Sequence, residues 1–134
     1  VNRRRTTIAA ATMFGVVSAF QLALAAGAPL GRAAWGGTAA ELPTGLRVAS
    51  GFAIVLWAFA AVVVLRRGGV IDSPLPPKVA RVGTWVIVAL LGAGALMNAA
   101  SSSPWERYGW APFILVHLVL CIRVATRPVA QRTA

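Results

Sequence analysis

Four long apolar runs, cut apart by glycine, proline and charge, constrain this chain more than anything else in it. About 20 apolar residues rising about 1.5 Å each match a hydrocarbon core roughly 30 Å thick, so each run can cross a bilayer as a helix. The spans fall at about 7–28, 47–65, 82–100 and 108–125, with loops 28–46 and 101–107 on a common side. The expected fold is therefore all-α: a polytopic membrane protein forming a four-helix transmembrane bundle. With 58% hydrophobic and 12% charged residues, the chain lies far from the soluble balance of about half apolar and about a quarter charged. Its 134 residues make a single membrane domain and leave no length for a separate soluble one.

The net charge of +10 is of the kind that marks nucleic-acid binding, but its placement speaks for topology. Arg3, Arg4 and Arg5 precede the first run, Arg66, Arg67, Lys78 and Arg81 lie between the second and third, and Arg123, Arg127 and Arg132 follow the fourth. Only Arg32, Arg47 and Arg107 fall on the opposite side, a bias of ten to three. Cytoplasmic loops carry the Lys/Arg excess, so both termini are expected in the cytoplasm of a bacterial plasma membrane. No nucleic-acid partner is expected; the lipid bilayer is. Twelve Arg against one Lys suits a high-GC bacterial genome, and Val1 reads as an initiator codon translated literally.

Span one carries Ala11, Gly15, Ala19, Ala23 and Gly27 at intervals of four. Small residues so spaced let helix backbones approach closely, which makes this row a candidate helix interface. Ala23-Leu24-Ala25 has the form of a signal-peptidase site, yet the apolar stretch exceeds the usual 7 to 15 residues of a signal core, so the span is expected to be retained. The loop that follows is broken by Pro29, Gly31, Gly36, Gly37, Pro43 and Gly45, and Trp35 argues that it is ordered at the membrane interface. Together with the second loop it forms a candidate external cap: Arg32, Trp35, Glu41, Arg47, Trp105, Glu106, Arg107, Tyr108 and Trp110. Within it, Trp105, Tyr108 and Trp110 read as an aromatic belt. Glu41 and Glu106 share a face with three arginines, so salt bridges across the loops are expected.

Few residues can carry chemistry inside the spans. His117 is nine residues into span four, about 13 Å down by helical rise, and Gln21 is about 12 Å down span one. First and last helices of an up-and-down bundle are neighbours, so these two are expected to face each other and share a hydrogen bond. With Asn98 they make a candidate polar pocket. One histidine and one cysteine, Cys121, fall short of the three or four ligands zinc takes, and a lone cysteine excludes an internal disulfide. No metal and no cofactor are expected. No carboxylate lies within a span, which argues against proton-coupled transport.

The stretch from Gln21 to Gly37, Leu42 to Arg47, and Ser103-Pro-Trp-Glu-Arg107 resemble small four-span membrane proteins of actinobacteria that carry no assigned function. The resemblance implies that Gly27, Pro29, Gly31, Trp35, Gly36, Gly37, Pro43, Arg47, Pro104, Trp105, Glu106 and Arg107 form the characteristic external surface; it implies no substrate. Small multidrug exporters place a glutamate in the first span, where this chain has Gln21. Vitamin K epoxide reductase-like proteins need a cysteine pair, and dual-topology fluoride channels lack a strong charge bias.

The leading expectation is a non-enzymatic structural or accessory subunit that packs against a membrane-protein partner, or a second copy of itself, through the small-residue face of span one. The alternative is a binding or transport protein that takes a small apolar or anionic molecule beneath the cap, with Gln21, Asn98 and His117 as polar contacts. A cavity lined by Gln21 and His117, with an arginine at its mouth, would favour the second; a packed interior would favour the first.

Overall fold

The computed structural model describes residues 2–127. Its helices are α1 (Arg3–Ala25), α2 (Thr44–Arg67), α3 (Pro77–Ala100) and α4 (Ala111–Thr126), with a short 3-10 turn at Gly31–Ala33 and a π-helical turn, Glu106–Trp110, leading into α4. Four helical segments are long and apolar enough to cross a membrane. Helices adjacent in sequence pack together and α1 closes on α4, giving an up-and-down bundle. Arg132 lies outside the described residues.

The bundle is apolar outside, and its interior mixes apolar side chains with buried threonine, serine and histidine. Its interior stripes advance by alternating steps of three and four residues: Thr7, Ala10 and Phe14 on α1, Thr84, Ile87 and Leu91 on α3, His117, Cys121 and Val124 on α4. Such spacing keeps one narrow face toward neighbouring helices. Phe52 and Leu96, by contrast, are 74% and 75% exposed, a distribution that suits lipid as solvent. Buried threonine hydroxyls are satisfied locally: Thr7 Oγ1 donates to the Arg3 carbonyl at 2.9 Å and Thr84 Oγ1 to the Ala80 carbonyl at 2.7 Å.

The small-residue row of span one is not what packs α1 into the bundle. Thr7, Ala10, Phe14 and Leu24 do that, while Gly15 and Ala19 are exposed and Ala11 and Ala23 are half-buried. The reason is geometric: a strict four-residue interval drifts about 40° per step around a helix of 3.6 residues per turn, so the row leaves the inner face. Gly27 is not on the helix at all. It follows the C-cap Ala26 with φ +94°, and its N–H donates to the Leu24 carbonyl, so a residue tolerant of the left-handed region ends α1 there.

Span four also begins earlier than its apolar run. Helical structure starts at Pro104, so the connection 101–107 contracts to 101–103. Ser103 accepts at both its side chain and carbonyl, from Glu106 N–H at 3.4 Å and Arg107 N–H at 3.0 Å, and Pro104 occupies the first turn where a missing N–H costs little. The π turn has an equally local cause. Pro112 cannot donate to the carbonyl four residues back, and the Ala111 N–H instead reaches the Glu106 carbonyl five residues back.

Arginines close the helix ends nearest the termini. Arg3 donates from Nη2 to the Arg67 carbonyl at 2.7 Å and from Nε to the Gly68 carbonyl at 3.2 Å, while Arg67 donates to the Ala125 carbonyl at 2.9 Å. Each places a cation on the negative end of a helix. The α1–α2 approach is close enough there that a Cβ on Gly68 would overlap Thr7. Gly68→Ala should therefore destabilise the protein by about 1–3 kcal/mol as an overpacked contact. Thermal unfolding in mild detergent would measure it, against Gly15→Ala, whose added Cβ meets nothing within 4 Å; equal melting of the two variants would refute the contact.

Candidate functional site

A cavity of about 820 Å³ opens beneath the two loops, bounded by all four helices. Its deep end is aromatic and apolar, with Phe14, Trp57, Leu91 and Ile114; its shallow end is polar, with Gln21, Asn98, Ser101 and Glu106. Such a volume lies in the range of roughly 300–1,000 Å³ typical of small-molecule sites.

Gln21, Asn98 and His117 all line this cavity, but Gln21 and His117 do not bond to each other. His117 is buried at the level of Phe14, 4.1 Å from that ring's centroid, and its Nε2 donates to the Ala10 carbonyl at 2.9 Å. A carbonyl can only accept, so in the neutral ring Nδ1 is the remaining acceptor. Two shifts in helix boundaries separate the pair. Helix four starts at Pro104 and α1 stops at Ala25, which places His117 about 20 Å from its helix end and Gln21 only about 6 Å from its own. Gln21 therefore sits toward the cap, and its Oε1 is buried with no hydrogen-bond partner among the described residues. Asn98 Nδ2 donates to the Gly94 carbonyl of its own helix at 2.8 Å, and nothing among the described residues donates to its Oδ1.

The cap is tied together by Glu106 rather than by salt bridges. Glu106 is 8% exposed; its Oε1 accepts the Gly36 N–H at 3.0 Å and its Oε2 accepts the Ser101 hydroxyl. Ser103 Oγ donates across the same seam to the Arg32 carbonyl at 2.6 Å. On the other side of the loop, Trp35 donates from its indole to Ser50 Oγ at 3.1 Å. The turn that permits these contacts is left-handed at three successive residues: Trp35 (φ +52°), Gly36 (φ +85°) and Gly37 (φ +69°). Any Cβ at Gly37 would come within 2.7 Å of the Arg32 carbonyl and Ser103, so glycine is required there by both conformation and space. A non-glycine residue held in this region, Trp35, marks a turn that the surrounding contacts impose.

The expected arginine–carboxylate pairs do not form. Arg32 donates to the Gly37 and Thr38 carbonyls, each at 3.3 Å, and Arg47 to the Ala25 carbonyl at 3.1 Å, capping α1. Unpaired carbonyls at a helix end and in a folded-back turn lie nearer than the acids do. Glu41 and Arg107 are exposed and do not line the cavity. Among the described residues Glu106 is the only Asp, Glu, Lys or Arg on its wall, so the cap end carries an acid where an arginine was expected. The aromatic belt divides likewise. Trp105 and Tyr108 are 66% and 73% exposed, whereas Trp110 turns inward onto Phe20 and Phe113, with ring centroids 4.8 and 5.4 Å away.

Sequence reasoning missed Phe14, Phe20 and Trp57 as wall residues. Trp57 did leave a signal, since indoles prefer the interface and this one sits in the middle of an otherwise featureless span. It stacks on Phe14 at 5.7 Å. Cys121 is fully buried within the core and takes no part in the cavity. Removing Glu106 should release the first loop: Glu106→Ala orphans the Gly36 N–H and the Ser101 hydroxyl, at a cost of about 1–3 kcal/mol. Amide hydrogen exchange at residues 35–38 should accelerate in the variant, and unchanged protection would sink the role given to the carboxylate. The chain matches no protein-family model, curated protein or solved structure.

Proposed function

We propose that this small integral membrane protein binds a small, largely apolar molecule in the cavity beneath its two loops. The observation that carries the reading is a lined cavity where a bundle built only for assembly would pack: apolar walls below, and at the cap end Gln21, whose buried Oε1 has no partner among the described residues. A buried acceptor left unpaired costs free energy that a ligand donor would recover. With Glu106 on the wall and no basic side chain there, the ligand is neutral or cationic, not anionic.

A second reading, association through α1, rests on the outward placement of Gly15 and Ala19, which leaves room for another helix against that face. One comparison separates the two. Native mass spectrometry of protein extracted in mild detergent should show a co-purifying small molecule that Gln21→Leu loses, by roughly tenfold in occupancy for one lost buried hydrogen bond. Gly15→Leu with Ala19→Leu should leave that molecule in place. A protein complex disrupted by the double variant, with no small molecule in any sample, would reverse the assignment.

The same proposal places the chain in a bacterial plasma membrane with both termini in the cytoplasm and the cap outside, on the ten-to-three basic bias. Kinship with the actinobacterial four-span proteins is proposed on the resemblance of the loop residues and adds no chemistry. In a Cys121→Ala background, Thr38→Cys should react with an impermeant maleimide on intact cells, and Arg4→Cys only after permeabilisation. The opposite pattern would invert the topology.

A further inference from the structure

The cavity wall is interrupted on one side. Helices α2 and α3 meet toward the terminal end, where Val63 packs so tightly on Gly83 that an added Cβ would come within 3.0 Å. Toward the cap they are separated by the cavity, which one flank of each lines: Leu56 from α2, Leu90, Gly94 and Met97 from α3. Three of these wall residues are exposed, Leu56 at 47%, Leu90 at 43% and Met97 at 73%, as are Trp35, Thr38 and Ser102 at the cap. Exposed wall residues on both flanking helices leave the cavity open between α2 and α3 as well as at the cap. By helical rise Met97 lies about 5 Å and Leu90 about 15 Å below the cap end of α3, so the mouth spans about a third of a roughly 30 Å hydrocarbon core, all of it in the half nearest the cap. It opens into lipid.

The interior changes character along that same depth. Beside the mouth the walls are apolar, down to Trp57 and Phe14; at the cap stand Gln21, Asn98 and Glu106, whose side chains all carry acceptor oxygens. Glu106 has one donor on each oxygen, Gly36 N–H and Ser101 Oγ–H, while a carboxylate offers about four acceptor positions, so it retains capacity for a ligand. Among the described residues no lysine or arginine lines the wall to balance it. Acceptor-bearing side chains above an apolar space, with one uncompensated negative charge, complement a particular kind of molecule.

We propose that the cavity is loaded sideways from the leaflet nearest the cap, through the cleft between α2 and α3, and that its occupant is a single-chain amphiphile with a cationic, hydrogen-bond-donating head docked at Glu106. This rests on the binding function proposed above and names its ligand class and route. The alkyl chain lies along Leu91, Trp57 and Phe14, and the head reaches Gln21, Asn98 and Glu106 without leaving the depth of its leaflet.

The test uses the full chain in lipid nanodiscs, offered dodecylamine, dodecanol or dodecanoate and read by native mass spectrometry. Dodecylamine should bind roughly tenfold more tightly than dodecanol, the scale of a charge-assisted hydrogen bond replacing a neutral one, and dodecanoate should not bind. Glu106→Gln, which keeps an acceptor for the Gly36 N–H, should abolish the preference for the amine. Route is tested separately, with Leu56→Cys and Leu90→Cys joined by a bis-maleimide across the cleft in a Cys121→Ala background. The cross-linked protein should fail to take up dodecylamine and should retain any bound beforehand. Met97→Trp at the same rim, needing no cross-link, should slow uptake.

Uptake unaffected by both closures overturns the lateral route while leaving the binding function standing. Equal binding of amine and carboxylate overturns the ligand class. No binding of any probe to the unmodified chain removes the binding function itself, and this inference with it.

Discussion

Helix ends are the weak points of a chain that lives in hydrocarbon, because there the unpaired carbonyl and N–H groups of the backbone have little water to turn to. Several arginine contacts in this protein answer that need. Arg3 reaches the last carbonyls of α2, Arg67 a carbonyl at the end of α4, and Arg47 the end of α1. The first loop, which cannot form a helix of its own, is held by Glu106 through the Gly36 N–H. Charges that a count of ions would assign to salt bridges are thus engaged with backbone, and the loops are fastened to the helix ends they cover.

That fastening creates the cavity. Because Glu106 and Ser103 pull the Gly31–Gly37 turn over the top of the bundle, and Trp35 pins it to Ser50 on α2, the loop roofs the space between diverging helices instead of filling it. Below the roof, Phe14 wedges against His117 and Trp57 and sets the floor. His117 is part of the floor's construction: its Nε2 is committed to α1 through the Ala10 carbonyl, so it joins the first and last helices at the level where the cavity ends. The stretch between Asn98 and His117 therefore divides by depth into a roof anchor, an inward aromatic at Trp110, and a helix-to-helix tie.

Much of the fold was legible before any coordinates. Apolar runs of span length, basic residues clustered at alternate ends and prolines at the breaks lead to four membrane helices, and four such helices are present. The pocket residues Gln21, Asn98 and His117 were legible for a related reason: strong polar groups in apolar spans must face inward, and all three reach the cavity. Their partners were not legible. The nearest acceptor to His117 is a backbone carbonyl that every sequence position carries equally, and no residue pattern distinguishes Ala10 from its neighbours.

The sequence by itself determined the number of spans, their approximate positions and which polar side chains turn inward, because the thickness of hydrocarbon and the cost of an exposed dipole within it act on each run alone. The tertiary structure alone decided where each helix stops, which way the small residues of α1 point, and that Glu106 is buried beneath a turn 70 residues away. Those outcomes depend on pairings between backbone groups of distant segments, and on a four-residue row drifting off a 3.6-residue helix until another face meets the bundle.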